Sequence, residues 1–134
     1  MAEETDKKAK SCKVVLLGDS GVGKTSIISR YISNTFSNVL MATPGANFTS
    51  KTIFLADEQQ SIKLEIWDTA GQEKFRAMTK VFYKNANICI LVYDITRRDS
   101  FESLKNIWIK ELQANAPADF SKFCFLIFSF GNCV

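Results

Sequence analysis

Apolar positions along the chain follow two periods, and the alternation between them predicts the elements. Lys13–Leu17 (KVVLL) is a short β-branched run that ends at a glycine, the pattern of a strand. Ile27, Ile28, Tyr31 and Ile32 then form the stripe of an amphipathic helix. Phe48–Leu55 and Ile62–Trp67 predict two strands joined by the polar turn Ala56–Gln60. In the second of these, Ile62, Leu64 and Ile66 alternate with Lys63, Glu65 and Trp67. Phe75–Ala86 carries a weaker helical pattern. Ile88–Tyr93 (ICILVY) is almost continuously apolar, as a strand covered on both faces must be. Phe101, Leu104, Ile107, Trp108 and Leu112 recur at helical spacing after Asp99 and Ser100, which offer a cap. Phe123–Phe130 (FCFLIFSF) reads as a last buried strand. Residues 34–46 lack periodicity and read as loop, and residues 1–12 as a solvated tail. Strands alternating with helices predict a three-layer α/β domain with a mostly parallel sheet. Ligands of such sheets sit at the carboxyl ends of the strands.

Composition narrows the chemistry. The 134 residues suit one core and not two. Apolar residues make up 46% and charged residues 23%, which excludes wholesale disorder. No apolar stretch approaches the ~20 residues that span a bilayer, and Met1–Lys10 has no apolar centre for a signal peptide. A net charge of +3 is too mild to imply nucleic acid. Cys12, Cys89, Cys124 and Cys133 show no CxxC spacing, which argues against a zinc site or a disulfide framework and suits a reducing, cytoplasmic setting. There is no histidine, so catalytic sites built on an imidazole are excluded.

The chemistry lies at two strand ends. Gly18–Thr25 (GDSGVGKT) matches G-x-x-x-x-G-K-[ST], a pattern that chance produces about once in 200 chains of this length. A strand before it and a helix after it are the setting this motif requires. Glycines let successive backbone N–H groups curl round an anion, and the helix N-terminus adds its positive end. Lys24 is placed to neutralise β- and γ-phosphate oxygens, and Thr25 to offer its hydroxyl to Mg²⁺. The second element is Trp67-Asp68-Thr69-Ala70-Gly71-Gln72, directly after a strand. Asp68 there can face Mg²⁺, Gly71 can bring its N–H to a γ-phosphate, and Gln72 can orient water.

GDSGVGKT together with WDTAGQE resembles the Ras superfamily of small GTPases. Lys63–Glu73 (KLEIWDTAGQE), Phe75–Thr79 (FRAMT), Phe82–Ala86 (FYKNA) and Leu91–Thr96 (LVYDIT) are similar to segments of its Rab branch, and the likeness runs from about Cys12 to Pro117. The resemblance implies the P-loop NTPase fold, GTP or GDP as bound nucleotide with Mg²⁺, and a role as a membrane-traffic switch on the cytosolic face of endomembranes. It also implies exchange factors, GTPase-activating proteins and effectors as partners of the switch loops. Carried over residue by residue, Ser20, Gly21, Val22, Gly23, Lys24 and Thr25 wrap the phosphates with Gly18 opening the loop, and Ser26 sits beside the α-phosphate. Thr43 matches the switch threonine that reaches Mg²⁺ beside a γ-phosphate, so Thr25, Thr43 and Asp68 form the implied metal set. Gln72 matches the residue that positions the attacking water, with Lys24 as the catalytic cation. Phe48, Trp67 and Phe82 fall where partner-reading aromatics lie, or are ordinary packing residues.

The resemblance also has departures. Pro44 stands where the family has isoleucine, fixing its own φ and biasing Thr43 towards extended backbone. The guanine-reading N-K-x-D motif has a counterpart in Asn132 alone, before Cys133 and Val134. Phe120, Phe123, Phe125, Phe128 and Phe130 crowd the same region, and such a strand without covering helices leaves an apolar edge. These features predict a small-GTPase domain over residues 13–134 that is truncated, lacking the last strand, the last helices and a prenylated cysteine tail. The leading expectation is a GTP hydrolase in which Mg²⁺ and Lys24 stabilise the transferring phosphoryl group. No arginine lies in the phosphate elements, so fast turnover calls for an activating protein. The alternatives are a non-enzymatic fragment that binds Rab partners or is inactive, and another P-loop NTPase.

Overall fold

Among the described residues, helical segments pack on opposite faces of one sheet. The computed structural model describes residues 10–34, 46–69, 85–115 and 124–129. The elements are β1 (Lys10–Leu17), α1 (Lys24–Ser33), β2 (Ala46–Leu55), β3 (Gln60–Thr69), β4 (Ile88–Asp94), α2 (Arg98–Ser103), a π-helical turn (Leu104–Trp108), α3 (Ile109–Asn115) and β5 (Cys124–Ser129). The sheet order is β2-β3-β1-β4-β5. β1 runs parallel to β3 and β4, β4 runs parallel to β5, and β2 pairs antiparallel with β3.

The apolar run in β1 is read by two faces at once. Val14 and Leu16 join Val22, Ile66 and Val92 beneath the Ile27, Ile28 and Ile32 stripe of α1. Val15 and Leu17 join Cys89, Leu91, Leu104, Trp108 and Leu112 beneath the second helical segment. The expected three layers with a mostly parallel sheet are therefore present, and β1 is central because both its faces are covered.

Several elements differ from their predicted bounds. β1 starts at Lys10, sooner than its apolar run, because Lys10, Ser11 and Cys12 pair with Ile62, Lys63 and Leu64 of β3. The β2–β3 hairpin is longer at both ends and closes on residues 56–59, with Gln59 in the left-handed region at φ 50° and bonded back to the Ala56 carbonyl. Asp99 and Ser100 do not cap a helix: Arg97 is the N-cap, with no side-chain cap. Ser100, fully buried, instead accepts the Asp94 N–H at 3.0 Å and donates to the Arg97 carbonyl at 2.7 Å, tying the first turn of α2 to the end of β4. The predicted helix over Phe75–Ala86 lies outside the described residues up to position 84. Among the described residues no helix is long and apolar enough to cross a membrane.

Candidate functional site

β1, β3 and β4 are parallel neighbours, so their carboxyl ends meet on one rim of the sheet. The loop leaving β1 passes directly over β4. A Cβ at Gly18 would collide with the Val92 carbonyl oxygen, and Gly18 sits at φ 151°. That close approach is the reason for a glycine at this position. Gly21 and Gly23 follow at φ 79° and 107°, and Gly23 is the N-cap of α1. The helix begins there, with the Ile27 N–H donating to the Gly23 carbonyl at 2.9 Å. No side chain caps α1 and no acidic residue lies in its first turn, which leaves its positive end for an anion. Val22 is buried in the α1-side core, so its side chain belongs to packing and its contribution to the loop is backbone.

Lys24 is almost wholly buried, and its ammonium donates to the carbonyls of Gly18 at 2.8 Å and Asp19 at 2.9 Å. The lysine thus folds back over the loop it follows. Burial pushes its pKa down to about 8, with the carboxylates of Asp68 and Asp19 opposing the shift.

Thr25 and Asp68 meet across the gap between α1 and β3. The Thr25 hydroxyl donates to Asp68 Oδ2 at 2.5 Å. Asp68 is 3% exposed, and its other oxygen, Oδ1, is buried without a hydrogen-bond partner among the described residues. Burial raises the carboxyl, while the Thr25 hydrogen bond and the Lys24 charge lower it. A buried carboxylate oxygen without a partner is costly. A hydroxyl and an oxygen-donor carboxylate side by side suit a hard divalent cation such as Mg²⁺. No group of three His, Cys, Asp or Glu side chains that could hold a metal by themselves occurs among the described residues, so a cation here would complete its shell from a ligand and water. Thr69, next along β3, is fully buried and donates to the Leu16 carbonyl at 2.5 Å, which locks the end of β3 to β1.

The structure thus brings together Gly18, Ser20, Gly21, Gly23, Lys24, Thr25, Ser26 and Asp68 at one rim. Thr43, Gly71 and Gln72 lie outside the described residues, as does Phe82. Phe48 and Trp67 face each other in register on β2 and β3, with ring centroids 4.9 Å apart, and Phe48 is half exposed.

Two residues absent from the sequence-based site also touch the loop. The Trp108 indole N–H donates to Asp19 Oδ1 at 2.9 Å, and Arg97 Nη1 donates to the Ser20 carbonyl at 3.3 Å. Both come from the segment after β4, 89 and 77 residues from their respective partners. Trp108 was visible in sequence as part of an apolar stripe, and nothing in that pattern tells where its N–H points.

A parallel strand, a glycine-rich loop, a helix begun on a lysine and a threonine, and an aspartate ending the neighbouring strand define an α/β domain of the P-loop class. The comparisons agree and go further. The sequence model of the Ras family matches residues 13–128. The chain is 50% identical over 105 residues to the GTP-binding protein ypt5 of Schizosaccharomyces pombe, which covers 78% of this chain and 49% of that one. It is 47% identical over 116 residues to the Ras-related protein RABG3b of Arabidopsis thaliana, covering 86% and 56%. With the Ras-related protein Rab7 of Pisum sativum it shares 46% over 117 residues, covering 86% and 55%. The chain belongs to the Ras family, in its Rab branch. It spans about half the length of the curated relatives it matches.

Proposed function

We propose that this chain binds GTP and GDP with Mg²⁺ at the rim formed by β1, β3 and α1, and hydrolyses GTP as a membrane-traffic switch. The observation that carries this reading is the convergence of Lys24, Thr25 and Asp68 at the open end of α1. Gly18 and Ser20–Thr25 cradle the phosphates with main-chain N–H groups, and Ser26 lies beside the α-phosphate. Lys24 neutralises the β- and γ-phosphate oxygens. Thr25 and Asp68, with Thr43, are the residues that would hold Mg²⁺, which when bound offsets negative charge on the phosphate oxygens. Gly71 donates its N–H to the γ-phosphate, and Gln72 orients the water that attacks it. Water oxygen bonds to the γ-phosphorus, the bond to the β–γ bridging oxygen breaks, and GDP and inorganic phosphate leave.

The Rab relatives support exchange factors, activating proteins and effectors as partner classes, and the cytosolic face of endomembranes as the place of action. The half-exposed Phe48, packed at a tilt against Trp67, gives the switch side of the sheet an aromatic surface for such partners. Calorimetric titration with GDP and Mg²⁺ tests the reading: the wild-type chain should bind, and Lys24→Ala should lose at least tenfold in affinity. Equal affinity in the two proteins would remove the loop from the site.

A further inference from the structure

We propose that Trp108 is a positioning residue for the phosphate loop: its indole N–H holds the Asp19 carboxylate and, through it, the backbone on which Lys24 rests. The proposal builds on the assignment of that loop as the phosphate site.

Trp108 is fully buried, with its ring among Val15, Leu17, Leu91 and Leu104. A ring so enclosed is fixed in place, and its N–H must find a partner. It finds one in the loop rather than in its own helix, at 2.9 Å on Asp19 Oδ1. Asp19 is thereby held at two points, because its carbonyl also accepts the Lys24 ammonium at 2.9 Å. In a trans peptide the carbonyl and the next N–H point in opposite directions. Holding the Asp19 carbonyl on the lysine side therefore sets the direction of the Ser20 N–H. Arg97 does the same one residue further on, where its bond to the Ser20 carbonyl sets the Gly21 N–H.

The helix is built unusually at this point. Leu104–Trp108 is a π turn, in which the Ile109 N–H donates to the Leu104 carbonyl five residues back. Such turns are uncommon and often occur at functional sites. This one puts Leu104 and Trp108 in the same core cluster while the indole N–H reaches the loop.

Side-chain exchanges that separate charge from hydrogen bonding test the idea. Asp19→Asn and Asp19→Ala both remove the carboxylate charge, yet asparagine keeps an oxygen that can accept from the indole. Their difference therefore reads the hydrogen bond alone. Trp108→Phe removes the donor and keeps most of the ring. Asp19→Ala and Trp108→Phe should each weaken GDP–Mg²⁺ binding about tenfold relative to Asp19→Asn and wild type respectively. The double variant should be no worse than the poorer single, because both remove one interaction. A purely structural indole would lower the melting midpoint of the ligand-free protein and leave the affinity of the folded chain alone.

A second readout needs no nucleotide. In ligand-free protein labelled with ¹⁵N, the Ser20 and Gly21 amide resonances should move in Trp108→Phe and in Asp19→Ala and stay near wild type in Asp19→Asn. If the wild-type chain binds GDP, unmoved loop amides, or GDP affinity in Trp108→Phe and Asp19→Ala equal to that of wild type and Asp19→Asn, would overturn the positioning role and leave the nucleotide site standing. A wild-type chain that binds no GDP but shows the amide pattern would overturn the nucleotide reading and keep the brace.

Discussion

The Thr25 hydroxyl donates to the Asp68 carboxylate at 2.5 Å across 43 residues of sequence. The bond is possible because Leu16 and Asp68 are register partners on β1 and β3, so the loop after β1 and the end of β3 leave the sheet side by side. Both groups are oxygen ligands suited to Mg²⁺, and the bond engages only one carboxylate oxygen, leaving Asp68 Oδ1 without a hydrogen-bond partner among the described residues.

Asp68→Ala should accordingly uncouple nucleotide binding from magnesium. In wild-type protein, chelating Mg²⁺ is expected to weaken GDP binding by roughly tenfold or more. In the variant the titrations with and without chelator should nearly coincide. A variant that stays fully magnesium-dependent would take Asp68 out of the metal set.

The pH dependence of binding follows from Lys24. Its folded, ligand-free pKa is pushed down to about 8 by burial, and phosphate binding requires the ammonium form. The bound lysine therefore has a higher pKa than the free one, so the affinity its charge supplies is complete below pH 8. That affinity declines as pH rises through the free value. GDP titrations from about pH 6.5 to about pH 9.5 should be level at first and then fall by up to about tenfold per pH unit. A level profile throughout would mean that the lysine charge plays no part.

The same residue shapes stability without ligand. Between about pH 8 and its ordinary value of 10.5, Lys24 is protonated in the unfolded chain and largely neutral in the folded one. Unfolding takes up protons there, so stability contributed by this group should rise with pH across that window. Denaturant midpoints that fall steadily over the same range would contradict the burial argument.

Gly18→Ala should damage the fold rather than the chemistry alone. The added methyl would run into the Val92 carbonyl, which is main chain of the neighbouring strand and cannot swing aside. Together with the backbone angle at this position, a loss of about 2 kcal/mol or more is expected. Urea melts of the two proteins measure it, and a difference within experimental error would mean that β1 and β4 separate more easily than the packing suggests.

Gln72→Leu bears on hydrolysis. An apolar side chain cannot orient water, so GDP affinity should persist while turnover slows. Intrinsic rates in this class are on the order of 10⁻⁴ s⁻¹, so single-turnover assays with an activating protein give the clearest contrast. Matching rates in the two proteins would exclude Gln72 from positioning the water.

Particular elements show where sequence reading succeeds. KVVLL, ICILVY and the alternation in Ile62–Trp67 are direct records of burial, since a strand inside a three-layer domain must be apolar on each covered face. GDSGVGKT is legible because a backbone cradle needs glycines at set intervals, and Gly18, Gly21 and Gly23 take the positive φ values that such a turn demands. Asp68 is legible because it ends a strand beside that loop.

Other features are invisible in one dimension. Periodicity places Trp108 on the buried face of a helix, which is correct, but it carries no information about the single polar atom on that ring. The partner of that atom is 89 residues away, and it is reached only because β4 lies beside β1 in the sheet and a π turn sets the ring's direction. Ser100 looks like a helix cap and serves instead as a tie to Asp94, because the hydroxyl's choice among nearby donors and acceptors is made by how the chain turns after β4. Arg97 belongs to no motif in the sequence, and only the fold brings its guanidinium to the Ser20 carbonyl. Which residues are buried and which loop can hold an anion are legible in one dimension, since both follow from local spacing and side-chain type. The tertiary structure alone decided which distant side chains hold that loop in shape, because a hydrogen bond depends on the direction and distance of two atoms that the chain brings together only when folded.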